Sequence, residues 1–152
     1  MIDIKISKAK YYVTKACLES IENYFNNFSR EHGGALGIKD KTILLFFPLE
    51  NDNSTGEDFS PAVGSLNDAN RYFNNQGVDF SGIIHSHPIS KYGDGMNSPS
   101  KSDIDFCKGF LEINKSFKSL LFPIITLKES HKNIAWYIYK NGKIFSLKIN
   151  IL

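Results

Sequence analysis

His85-Ser86-His87 is the segment of this chain whose residue types and spacing could hold a metal ion. It closes the stretch Val78 to His87, which reads as a strand. Residues i and i+2 of a strand leave the same face, about 7 Å apart at their roots. From there two imidazole nitrogens can converge on one ion at about 2.0–2.1 Å each. Pro88 ends the strand directly afterwards and leaves the pair at an edge that solvent can enter. A third ligand has to come from elsewhere. Asp103, opening the next helical segment, is the natural candidate, with Asp94 and Asp105 as acidic neighbours. A His2Asp set would leave one tetrahedral position open, as catalytic zinc requires. Such an ion acidifies water and polarises a carbonyl.

Each piece also has a plainer reading. Ser100-x-x-Asp103 is a capping box, Ser102-x-x-Asp105 is another, and Glu31 by itself is a surface glutamate near a helix end. His32 and His131 read as solvated loop residues, Glu50, Glu57 and Asp58 as solvated charges, and Trp136 as core.

The elements that must position these groups follow from apolar spacing. Val13, Cys17, Ile21, Tyr24, Phe25 and Phe28 form one stripe of a helix from about Ser7, a fair cap, to Phe28. The run from Ala35 to Leu49 is broken by Lys39-Asp40-Lys41 and predicts a hairpin. Glu50 to Ser65 is a long polar loop that could border a substrate groove. Leu66 to Asn75 is a short helix capped by Ser65, and Pro88 to Pro99 a second loop. Asp103 to Asn114 has a helical period through Ile104, Cys107, Phe110 and Leu111. Three strand-like runs follow, Leu121 to Leu127, Ile134 to Tyr139 and Ile144 to Ile149, the last two joined at Asn141-Gly142. The order α-β-β-α-β-α-β-β-β describes an α+β domain on one mixed sheet flanked by helices.

Composition narrows the classes. The 152 residues, 41% of them hydrophobic, suit one folded domain spanning 1–152. Twelve Phe and seven Tyr oppose disorder. A net charge of +2 with scattered lysines gives no nucleic-acid footprint. No apolar run reaches the roughly 20 residues of a membrane span, and no signal-peptide core is present, so a cytoplasmic protein is expected. Cys17 and Cys107 read as buried reduced thiols. No Cys-x-x-Cys, His-Glu-x-x-His or phosphate-binding glycine loop occurs. A zinc deaminase would need His-x-Glu with Pro-Cys-x-x-Cys, which is missing.

His85-Ser86-His87-Pro88 followed by Ser98-Pro99-Ser100-Lys101-Ser102-Asp103 resembles the His-x-His-Pro…Ser-x-x-Asp signature of the JAB1/MPN/Mov34 metalloenzymes, the JAMM peptidases. The family also places a glutamate after the first helix, in a Glu-x-x-Gly context leading into a strand. Glu31-His32-Gly33-Gly34 stands there. The resemblance covers most of the chain. It implies an MPN/JAB-like (cytidine deaminase-like) fold and one catalytic Zn2+ held by His85, His87 and Asp103. It also implies Glu31 as general base and Ser100 as hydrogen-bond donor to the oxyanion. The stretch between His87 and Asp103 is longer than the family's, the surplus lying in 91–97. The implied activity is hydrolysis of a peptide or isopeptide bond, removing or maturing a ubiquitin-like modifier, as in bacterial antiphage systems. A JAMM peptidase for sulfur-carrier or phage polypeptides and a non-catalytic MPN scaffold are the other readings. The expected partner is a protein substrate, with neither nucleic acid nor membrane.

Overall fold

Ile83 and Ile84 are both fully buried, yet they lie in different cores. Successive side chains of a strand leave opposite faces, and here each face meets its own helical layer. The pairs Ala35/Leu36 and Ile124/Ile125 divide in the same way. A sheet covered on both faces explains why its strands read as nearly continuous apolar runs.

The computed structural model describes residues 2–26, 30–53, 58–87, 97–127 and 132–152. Its strands are β1 Ile4–Ile6, β2 Tyr11–Val13, β3 Gly33–Lys39, β4 Thr42–Leu49, β5 Asp79–His87, β6 Ser119–Leu121, β7 Ile124–Leu127, β8 Lys132–Ala135, β9 Tyr137–Lys140, β10 Lys143–Ser146 and β11 Ile149–Ile151. The helices are α1 Lys15–Tyr24, between β2 and β3, α2 Val63–Asn75, before β5, and α3 Lys101–Ile113, after it. The strand order is β1-β10-β9-β6-β5-β3-β4-β2-β11, with β7 beside β5 and β8 on β7. Both ends of that order are held by short connections, β1 to β2 and β10 to β11. The mixed sheet therefore curls round. Ala69 and Phe73 of α2 and Cys107 of α3 fill one core, while Cys17 and Ile21 of α1, with Phe25, fill the other.

Several expectations shift. The first helix starts at Lys15, not near Ser7. Thr14 is its cap, its hydroxyl accepting from the Cys17 N–H at 3.1 Å, and Tyr11–Val13 is instead a strand parallel to β4 and β11. Phe28 lies outside the described residues. Helix α2 starts at Val63, and Ser65 does not cap it; the Ser65 Oγ accepts from the Glu50 N–H at 3.0 Å. The three C-terminal runs become six strands, broken at Phe122-Pro123, Trp136 and Leu147-Lys148. Pro123 has no N–H to give to a ladder. Two short strands also precede the first helix, so the element order is longer than the predicted one.

The β3–β4 hairpin forms as read, closed by Asp40 (φ 51°) and Lys41 (φ 68°). The β9–β10 hairpin closes on Asn141 (φ 53°) and Gly142 (φ 74°), the left-handed pair a two-residue turn demands. Cys17 and Cys107 are buried free thiols. Among the described residues, no helix is long and apolar enough to cross a membrane.

Candidate metal centre

The strand register puts three polar side chains on one face. Ala35 and Ile83 face the α2–α3 core, so residues 31, 33, 85 and 87, at even spacing from them, share that face. Gly33 pairs with His85 in the antiparallel β3–β5 ladder. The pairing runs on past the end of β3, where the Ser86 N–H donates to the His32 carbonyl (2.8 Å) and the His32 N–H to Ser86 Oγ (2.9 Å). Glu31 is thereby brought opposite His87. It is only 1% exposed, so it is not the surface glutamate its sequence context would allow. A carboxylate that deeply buried needs polar partners. One is the Phe59 N–H, donating to Oε1 at 3.1 Å.

His85 and His87 are fully buried, and the His85 ring lies 4.9 Å from that of Phe122. Their Nε2 atoms stand 3.0 Å apart. Asp103 comes from the first turn of α3, where Ser100 is the N-cap. The capping box forms: the Asp103 N–H donates to Ser100 Oγ (3.2 Å) and the Ser100 N–H to Asp103 Oδ2 (2.9 Å). The plain reading of Ser-x-x-Asp is therefore correct, and the cap also fixes the Asp103 carboxylate. With its carboxylate locked by the cap, Asp103 puts Oδ1 3.2 Å from His85 Nε2 and Oδ2 3.3 Å from His87 Nε2. Burial opposes ionisation of Asp103. The neighbouring His85, hydrogen bonds from both imidazoles and the Ser100 N–H outweigh it and hold the carboxyl well below the usual range.

Zinc ligated at about 2.0–2.1 Å in a tetrahedron has ligand atoms about 3.3–3.4 Å apart. The three separations among His85, His87 and Asp103 are 3.0, 3.2 and 3.3 Å. Two imidazole lone pairs cannot face each other at such a distance without a proton or a cation between them. Each Nε2 carries at most one hydrogen, yet it faces both the other ring and a carboxylate oxygen. A cation satisfies all of these edges at once, so the donor set fits a metal. Glu31, His85 and His87 also offer atoms within 4.8 Å of one another and form a buried group that could bind an ion. Glu31 Oε1 lies 4.0 Å from His85 Nε2, beyond a tetrahedral edge. Two carboxylates thus flank the imidazole pair, Asp103 at ligand spacing and Glu31 one step out.

Ser100 Oγ is 3.0 Å from Ser102 Oγ. Asp105 is exposed, lines the same cleft as Asp103 and is paired with Lys101 at 3.0 Å. Asp94, Glu57 and His131 lie outside the described residues. Glu50 and Asp58 are exposed as expected, whereas His32 is half-buried, its ring edge-on to Tyr24, and Trp136 is half-buried against the α1-side core. A cleft of about 360 Å³ leads to Asp103, with Asp58, Phe59 and Ser60 on one side and Phe106 and Phe122 on the other. The sequence left open that the 50–65 loop borders a groove, and residues 58–60 line this cleft; Asn51 and the Phe59 N–H were missed, because backbone donors and a lone asparagine leave no pattern in a sequence.

No protein-family model matches the chain, and no curated protein does. Among solved structures, it is similar to a protein from Desulfitobacterium hafniense, at TM-score 0.72 and 20% identity over 93% of this chain and 92% of the other. It is also similar to a JAB1/MPN domain protein from Archaeoglobus fulgidus, at TM-score 0.51 and 16% identity over 93% and 98%. The class these define is an α+β protein with an MPN-like fold.

Proposed function

We propose that this chain is a zinc-dependent hydrolase of peptide or isopeptide bonds, with His85, His87 and Asp103 as the metal ligands. The observation that carries this reading is their convergence at tetrahedral-edge spacing with a buried glutamate 4.0 Å from His85. A bound zinc ion would polarise the scissile carbonyl and acidify the attacking water. Glu31 is the general base. Its Oε1 is fixed by the Phe59 N–H, and its carboxylate takes the water proton and returns it to the leaving amine. Ser100 uses its hydroxyl oxygen to accept from the helix, so its hydrogen is available to the developing oxyanion in place of Ser102. The substrate enters between residues 58–60 and α3. An MPN-like fold with this side-chain set favours the extended tail of a ubiquitin-like modifier as substrate, which could pair with a sheet edge beside the ion.

The test is metal content and cleavage of a ubiquitin-like protein carrying a C-terminal peptide extension. The wild type should bind one zinc, and Asp103→Ala should bind none. Glu31→Gln should keep the metal and lose cleavage by about 100-fold or more. Stoichiometric zinc in Asp103→Ala, or cleavage that survives chelation, would remove the proposal.

A further inference from the structure

Asn51 follows the residue after β4, and its backbone forms an isolated antiparallel bridge with Pro61. Its side chain fills the whole hydrogen-bonding inventory of a carboxamide. Nδ2 donates to the Glu31 carbonyl at 3.1 Å and to the Asp58 carbonyl at 3.0 Å. Oδ1 accepts from the Asn53 N–H at 2.9 Å and the Ser60 N–H at 3.1 Å. The amide cannot be turned over, since that would aim oxygen at two carbonyls and NH2 at two N–H groups.

The two halves of the group do different things. The oxygen shapes the connection between β4 and α2. The nitrogen ties that connection to Glu31, which lies twenty residues earlier in the chain. The next residue after Asp58 closes the circuit, because the Phe59 N–H is the donor to Glu31 Oε1. One side chain therefore fixes the Glu31 main chain directly and its carboxylate through Phe59.

We propose that Asn51 is the positioning residue for Glu31: its Nδ2 clamps the Glu31 and Asp58 carbonyls so that the Phe59 N–H holds the Glu31 carboxylate beside His85. The functional meaning rests on Glu31 being the base, but the clamp is a property of the fold and is measurable without turnover. Aspartate has the same shape and keeps the acceptor while losing both donors. Asn51→Asp therefore separates the clamp from the shaping of the connection, and Asn51→Ala removes both.

The experiment is amide NMR and hydrogen exchange on the full chain, with zinc content measured in parallel. Glu31→Ala supplies the reference, the Phe59 amide shift and protection with its acceptor removed. In Asn51→Asp the Phe59 amide should move towards that reference and exchange at least about tenfold faster, as loss of one or two hydrogen bonds implies. Zinc binding through His85, His87 and Asp103 should stay stoichiometric. Asn51→Ala should behave alike at Phe59 and additionally expose the Ser60 amide. If Asn51→Asp restores wild-type Phe59 protection where Asn51→Ala does not, the acceptor half alone matters and the proposal is overturned. It is equally overturned if neither variant disturbs Phe59. Failure of the hydrolase reading looks different: the wild type takes up no zinc, while the Phe59 amide still responds to Asn51.

Discussion

Gly33 lies at a close approach of β3 to Phe59 and β5, and adding one methyl there tests the packing around Glu31. A Cβ at Gly33 would stand 2.6 Å from both Cε2 and Cζ of Phe59 and 2.9 Å from the Ile84 carbonyl oxygen. The Ile84 oxygen belongs to the β5 backbone beside β3 and has little room to move. The Phe59 ring must therefore yield, on the residue whose backbone N–H holds Glu31 Oε1. Overpacking of this kind costs about 1–3 kcal/mol. Replacing glycine also narrows the unfolded ensemble, which offsets about 0.4–1 kcal/mol. The net expectation for Gly33→Ala is a loss of about 1.3 kcal/mol at the middle of these ranges and up to about 2.6 kcal/mol, against the gain that unfolded-state entropy alone would give. At about 2–4 °C per kcal/mol for a chain of this size, Tm should fall by up to about 10 °C. The assay is calorimetric or urea unfolding with chelator present, so that metal binding does not mask the change. In a double-mutant cycle, Phe59→Ala should remove the part of the penalty that the ring causes and leave the part due to the Ile84 oxygen. A Gly33→Ala protein as stable as the wild type, or a penalty left undiminished by removal of the Phe59 ring, would refute this account of the packing.

Three further outcomes follow from the geometry. Ser100→Ala should destabilise by about 1 kcal/mol in urea unfolding through loss of the α3 cap, and should also lower cleavage by about 10²–10³-fold if Ser100 serves the oxyanion. Thr14→Ala removes the cap of α1, which packs on the opposite face of the sheet from His85 and His87, so chemical denaturation should show a loss of about 1 kcal/mol with uptake of added zinc unchanged. Burial pushes the Cys17 thiol up to about 11. The unfolded chain then releases this proton before the folded one, so stability is full below about pH 9 and falls as pH rises towards 11. Cys17→Ala should make that part of an alkaline unfolding profile less steep, with the share of Cys107, whose thiol burial also raises, remaining.

The chain's local chemistry was readable in advance wherever one short segment decides it. Alternation along 78–87 put His85 and His87 on one face, Ser100-x-x-Asp103 wrote its own helix cap, and Asn141-Gly142 named its turn, since each depends on a few neighbouring backbone angles. The start of α1 was misread for a related reason. Val13 falls in the helical stripe of Cys17 and Ile21, but Tyr11 and Val13 also alternate as a strand. The choice between them was made by β4 and by β11 at the far end of the chain. The six C-terminal strands likewise arise because each apolar run serves two neighbours, β6 pairing with β9 and β7 with β8, which local propensity cannot express. The sequence by itself thus determined which side chains could meet a metal and on which elements they ride. Only the tertiary structure decided that Glu31 is buried opposite His87, that Asp103 reaches both imidazoles, and that Asn51 and the Phe59 N–H hold the glutamate. Those are contacts between segments distant in sequence, fixed by strand register and by the hydrogen bonds that Asn51 and the Phe59 N–H make to Glu31.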